Sequence, residues 1–117
     1  MLSKKNQDTK GSLMYKPEYL LLALDDLKSI FSYITYELEA PKAAENLLVK
    51  IDREVLKIME NPFRCHIYYP LEKLKYDYRV LHINNYSLFY VVEKEKVVIH
   101  RVLYSKRNVQ KILKEHG

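Results

Sequence analysis

The sequence contains little that bends, cross-links or spans. Only two glycines occur in 117 residues, both close to the termini. Tight turns inside the domain must therefore be built from Asn, Pro and Lys/Glu. A single cysteine, Cys65, excludes an internal disulfide and makes a reducing cytoplasm the expected compartment. Cys65 reads as a buried or tolerated thiol before it reads as a reactive one. Tryptophan is absent. No apolar run approaches the roughly 18 residues of a membrane-spanning helix, and residues 20–24 (LLLAL) meet Asp25 and Asp26 at once. No membrane partner is expected. The first twelve residues, MLSKKNQDTKGS, carry charge but no apolar signal segment.

What is present fits one small domain with one core. Hydrophobic residues make up 48% and charged residues 30%, the balance of a soluble globular chain. Tyrosine is abundant, at eleven, and fills a small core while leaving a polar tip at the surface. The formal net charge of +5 is unevenly placed. Residues 1–63 carry nine Lys/Arg against ten Asp/Glu, and residues 64–117 carry eleven against five. A basic second half points to a polyanionic partner, either nucleic acid or an acidic protein.

Residues 1–13 are expected to form a flexible arm, and residues 14–117 a single domain. Residues 13–19 (LMYKPEY) read as a short strand that Pro17 confines to an edge. Leu20, Leu24, Leu27, Phe31, Ile34 and Leu38 are spaced 4, 3, 4, 3, 4, one face of a helix. Pro41 opens a second helix, striped by Ala44, Leu48, Ile51, Val55 and Ile58 and ended by Asn61-Pro62. Two stripes joined by a short link make an antiparallel hairpin. After an irregular stretch (63–77) the period falls to 2. Residues 78–83, 86–92 and 96–104 are rich in β-branched and aromatic residues. Asn84-Asn85 and Glu93-Lys94-Glu95 separate them, giving an antiparallel meander. Residues 107–115 suit a short terminal helix docked by Ile112 and Leu113. The expected class is α+β, a helical hairpin packed on an antiparallel β-sheet in the order β-α-α-β-β-β, with the sheet's other face free.

Several pieces of this order form a recognisable set. They are Tyr78-Arg79-Val80, Asn85-Tyr86-x-Leu88-Phe89-Tyr90, and Arg101-Val102-Leu103 followed by Lys106-Arg107. With the hairpin and the small size, the chain over about residues 14–113 resembles the RelE/ParE family of type II toxin–antitoxin toxins. The resemblance implies a toxin neutralised by a cognate antitoxin. RelE-like members cleave mRNA on the ribosome without a metal or other cofactor, the ribose 2′-hydroxyl attacking the adjacent phosphate. ParE-like members poison DNA gyrase instead. A ribosome-dependent mRNA endonuclease is the leading expectation, with the ribosome and mRNA as partners. A gyrase inhibitor or a non-catalytic member is the alternative.

RNA cleavage through the 2′-hydroxyl needs a base, an acid and cations around the phosphorane. The resemblance places Arg79, Lys106 and Arg107 at basic positions that hold phosphate, an arrangement arginine suits by gripping two oxygens. Tyr104 stands where many relatives carry His. It serves as a proton carrier if Lys106 and Arg107 favour its anion, or as a stacking platform for a base. Strict alternation puts His100 and Tyr104 on one face of the last strand and Arg101 on the other, which makes His100 a candidate second proton carrier; Arg101 and His100 are also candidates for binding substrate. Arg79 reads equally as a solvated strand residue, Tyr104 as an aromatic plug, and His100 as a hydrogen-bonded core histidine. His82 and His66 have weaker claims, and His116 reads as tail. Two departures weaken the nuclease expectation. RelE-like toxins carry Arg where this chain has Ser87, and Tyr where it has Leu113.

Overall fold

The computed structural model describes residues 15–116. The expected arm, residues 1–13, lies outside them. Strand β1 (Lys16–Tyr19) leads into helix α1 (Leu21–Ser32), whose last turn widens to π geometry over Tyr33–Glu37. Helix α2 (Pro41–Glu60) runs back, and β2 (His66–Ile67), β3 (Arg79–Ile83), β4 (Tyr86–Glu93) and β5 (Lys96–Tyr104) follow. Helix α3 (Val109–His116) closes the described chain.

The sheet order is β1-β5-β4-β3-β2. β3, β4 and β5 form the meander, and β2 adds two antiparallel residues to β3. The sheet is mixed rather than wholly antiparallel, because β1 pairs parallel to β5 with Pro17 opposite Val97. Both helices of the hairpin intervene between these strands, a crossover long enough for parallel pairing. Pro17 is tolerated because β1 is an edge.

Two turns show how the chain manages without glycine. Asn84 takes φ 54° in the β3–β4 turn, a conformation asparagine adopts readily. Lys94 takes φ 53° between β4 and β5. There Glu93 pairs with Lys96, so the link is two residues rather than the expected three.

The hairpin packs on one face of the sheet through a core that includes Ala23, Ile34, Ile51, Leu88, Ile99 and Val102. The buried line of α1 is rotated from the predicted stripe. Ala23, Ile30 and Ile34 are buried, while Leu24 and Leu38 remain exposed. The cause is Asp26, three residues after Ala23, which is hydrogen-bonded to β5 and turns that face of the helix inward. In α2, Leu47 is buried where Leu48 was expected.

The opposite face is not free. Leu113 of α3 packs there with Leu74, Tyr78, Phe89, Val91 and Leu103 in a second core. Leu113 is thus the anchor of α3, which accounts for an apolar residue at that position. A bulge in β5 divides the two faces. Arg101 pairs with Phe89 and Ile99 with Tyr90, which leaves His100 as the extra residue.

Candidate functional site

β5 ends in a turn, residues 104–108, and the functional candidates gather around it. Ser105 N–H donates to the Asn85 carbonyl (2.8 Å), and Arg107 N–H to that of Tyr104 (3.0 Å). The first ties the turn to the β3–β4 end of the sheet, and the second closes the turn on itself. Tyr104, Ser105, Lys106 and Arg107 are all exposed. On the hairpin side the turn borders a cleft of about 600 Å³ lined by residues that include Asp26, Tyr33, Tyr86, Tyr104 and Arg107. The Tyr86 and Tyr104 rings meet edge to face at 5.9 Å. Burial, then the neighbouring phenols of Tyr33 and Tyr104, push the Tyr86 hydroxyl above its usual pKa. The cleft offers aromatic walls and one guanidinium, which suits recognition of a partly anionic partner.

Arg101 does not face this cleft as a spare cation. Its Nε and Nη2 each donate to one carboxylate oxygen of Asp26, both at 2.8 Å, with side chains 14% and 11% exposed. The same Asp26 accepts from the Val102 backbone N–H at 2.9 Å. Hydrogen bonding to Asp26 raises the Arg101 pKa further, so the guanidinium is a permanent charge held by a partner inside the protein. These bonds clamp α1 to β5.

Arg79 is committed elsewhere too. Nη1 donates to the Cys65 carbonyl (2.8 Å) and the Phe63 carbonyl (3.4 Å), and the guanidinium lies 5.0 Å from the Phe63 ring centroid. Tyr90 Oη donates to the Pro62 carbonyl at 2.7 Å, so two strand residues hold the 61–65 loop. Burial, then the Cys65 thiol, raise the Tyr90 pKa. Arg79 also sits at the wrong end of the sheet. It pairs with Tyr90, whereas Tyr104 pairs with Tyr86 four residues away on β4. That is roughly 13 Å along the strands, with two strand spacings across.

His100 and Tyr104 lie on opposite faces, contrary to strict alternation, because the bulge at His100 shifts the phase. His100 is buried between the rings of Tyr76 (4.7 Å) and Tyr78 (5.2 Å) on the α3 side. Its Nδ1 is 3.5 Å from Tyr78 Oη. Tyr78 is pushed up to about 12 by burial first and by Tyr76 second, with Arg101 opposing. A histidine so enclosed has no surface to offer a substrate.

Ser87 is the surprise of the α3-side face. Its Oγ is 3.0 Å from His82 Nδ1 and 2.7 Å from Ser105 Oγ. Ser87 is buried, and both its neighbours reach the surface. A signal for this pair was in the sequence. A two-residue turn at Asn84-Asn85 fixes His82 opposite Ser87, the register observed. Contact with Ser105 had no such signal, since it depends on the shifted phase of β5. His66 is exposed on β2 and joins neither group. The side chain of His116 is outside those described. Among the described residues, no three His, Cys, Asp or Glu side chains converge as metal ligands.

A helical hairpin laid over a five-stranded sheet, ending in a basic turn, is the α+β fold of the ParE toxins. The chain matches the family model of the ParE toxin of type II toxin–antitoxin systems, parDE, over residues 18–109, and it belongs to that family. A solved structure of the chromosomal ParDE toxin–antitoxin system from P. aeruginosa superimposes with a TM-score of 0.64 at 19% identity, covering 80% of this chain and 98% of that one. The RelB–RelE antitoxin–toxin complex from Methanococcus jannaschii gives a TM-score of 0.44 at 17% identity, over 80% and 96% of the two chains. No curated protein matches the sequence significantly.

Proposed function

We propose that this type II toxin works by binding a protein target, DNA gyrase, and not by cutting mRNA. The observation that carries the reading is the fate of the strand arginines. Arg101 is spent on Asp26 and Arg79 on the 63–65 backbone, and Ser87 stands where RNA-cleaving relatives carry the third. Cleavage of RNA draws its rate chiefly from cations preorganised around the phosphorane. Of the four cations expected there, Lys106 and Arg107 remain exposed and close together. A binding toxin needs no such convergence. The cleft beside Tyr104 and Arg107 pairs aromatic and arginine side chains, the composition of protein interface hot spots.

The neighbouring ParDE structure supports an antitoxin as the second partner. Exposed Leu21, Leu24, Tyr33 and Tyr36 on α1 and its π turn, with Leu38 just after, leave apolar surface for it to cover. Both partners place the protein in the cytoplasm.

The test is a pair of assays on the purified toxin. Gyrase supercoiling is inhibited, and inhibition is relieved by the product of the neighbouring reading frame. Primer extension in cell-free translation shows no new 5′ ends. Ribosome-dependent cleavage that vanishes on Arg107→Ala, with gyrase unaffected, would overturn the reading.

A further inference from the structure

The His82–Ser87–Ser105 chain has a use that neither target requires. It runs from a buried centre to two exposed ends, a turn serine and an imidazole. With the imidazole proton on Nε2, Nδ1 accepts from Ser87 Oγ–H, and Ser87 Oγ accepts from Ser105 Oγ–H. Every link then points the same way, and the two distances, 3.0 and 2.7 Å, are those of well-formed hydrogen bonds. A proton leaving Ser105 has a path to a base. Lys106, the next residue, is an exposed cation that raises the local concentration of anionic groups at the turn, while Arg107 borders the cleft on the hairpin side.

We propose that Ser105 is a modification site, an activated hydroxyl that takes the phosphoryl group of a small acyl phosphate. Ser105 Oγ attacks phosphorus and the Oγ–P bond forms. The bond from phosphorus to the acyl oxygen breaks, and the carboxylate leaves with that electron pair. The Ser105 proton passes to Ser87, whose own proton passes to His82 Nδ1. Ser105 is the reacting group, and Ser87 and His82 are positioning residues that act through it. The product adds a charge of roughly −2 to the turn that carries Lys106 and Arg107 and offsets its net positive charge. The site is independent of whether the toxin's target is gyrase or the ribosome.

The experiment incubates the full chain with acetyl phosphate and reads intact mass and tandem spectra. One phosphoryl group on Ser105 is expected, absent in Ser105→Ala. The rate falls at least about tenfold in His82→Ala, a loss typical of removing a general base. Because His82 is exposed, that variant keeps its fold, checked by circular dichroism. Added imidazole restores part of the rate, which a merely structural histidine would not allow. Phosphoryl transfer to other residues only, acetylation of lysines only, or a wild-type rate in His82→Ala would each overturn the proposal.

Discussion

Asp26→Ala should be among the most damaging single substitutions on the hairpin. The Asp26 carboxylate accepts three hydrogen bonds, two from Arg101 at 2.8 Å and one from the Val102 N–H at 2.9 Å. Its removal leaves a guanidinium that is only 14% exposed without its counter-ion. Breaking one side of such a pair typically costs about 3–5 kcal/mol, because the surviving charge stays desolvated. The Val102 amide adds a desolvation penalty of about 1–3 kcal/mol if water does not reach it. These terms share one site and do not simply add, so a loss of about 4 kcal/mol is expected. That is a large part of the roughly 5–15 kcal/mol that holds a domain of this size.

Urea unfolding followed by circular dichroism measures the loss directly. A double-mutant cycle sharpens it. Arg101→Met should also be costly, since it leaves the Asp26 carboxylate, 11% exposed, with the Val102 N–H alone. The pair Asp26→Ala with Arg101→Met should recover at least about 2 kcal/mol relative to the sum of the singles. A loss below about 1 kcal/mol for Asp26→Ala would mean the pair behaves as a solvated surface contact. A stable Arg101→Met protein that had lost all toxicity would return Arg101 to the binding surface. Either result would refute the clamp.

Other substitutions test the remaining structural roles. Lys94→Gly should stabilise by about 0.5–1 kcal/mol, read as a higher urea midpoint, because Lys94 holds φ 53° at a cost glycine avoids. Leu113→Ala should cost about 2–4 kcal/mol and speed hydrogen exchange throughout α3, since Leu113 is almost fully buried in the second core. Arg79→Ala should release the 61–65 loop to proteolysis at a cost of about 1–2 kcal/mol while leaving target inhibition intact. Tyr78 gives an alkaline signature. Its folded pKa of about 12 lies above the ordinary 10.0, so its contribution is full below about pH 10 and is lost as pH rises towards 12. Urea stability should fall between about pH 10 and 12, and less steeply in Tyr78→Phe.

The element order was readable because long periodic segments carry their own signal. The stripe of α2 and the alternation of β3 and β4 are of this kind, and Asn84-Asn85 set their register. Three features resisted. The face of α1 was misread by one residue because a polar side chain, Asp26, outranks Leu24 in choosing which side turns inward. Leu24 loses little at a half-exposed position, whereas an unpaired Arg101 would lose much. The second core was missed because its parts, Leu74, Tyr78 and Leu113, come from a loop, a strand start and a short helix without a shared period. The bulge left no local mark, since KVVIHRVLY alternates as well through His100 as any unbroken strand.

That single extra residue governs what the family resemblance can carry across. Strict alternation assigns every side chain of β5 to a face, and the functional reading of the strand depended on that assignment. Inserting His100 moves Leu103 to the α3 side with Ser105 and moves Val102 and Tyr104 to the hairpin side. The hydroxyl of Ser105 thereby meets Ser87, and the ring of Tyr104 meets Tyr86. Hydrophobic pattern specifies the fold because burial is insensitive to a local slip when both faces are covered by apolar residues. Chemistry has no such tolerance. The strand arginines occupy the positions the resemblance marks, yet what each grips is set by Asp26 on α1 and by the Cys65 carbonyl. Those partners lie outside the motif, so position transfers between relatives while function must be read from the contacts.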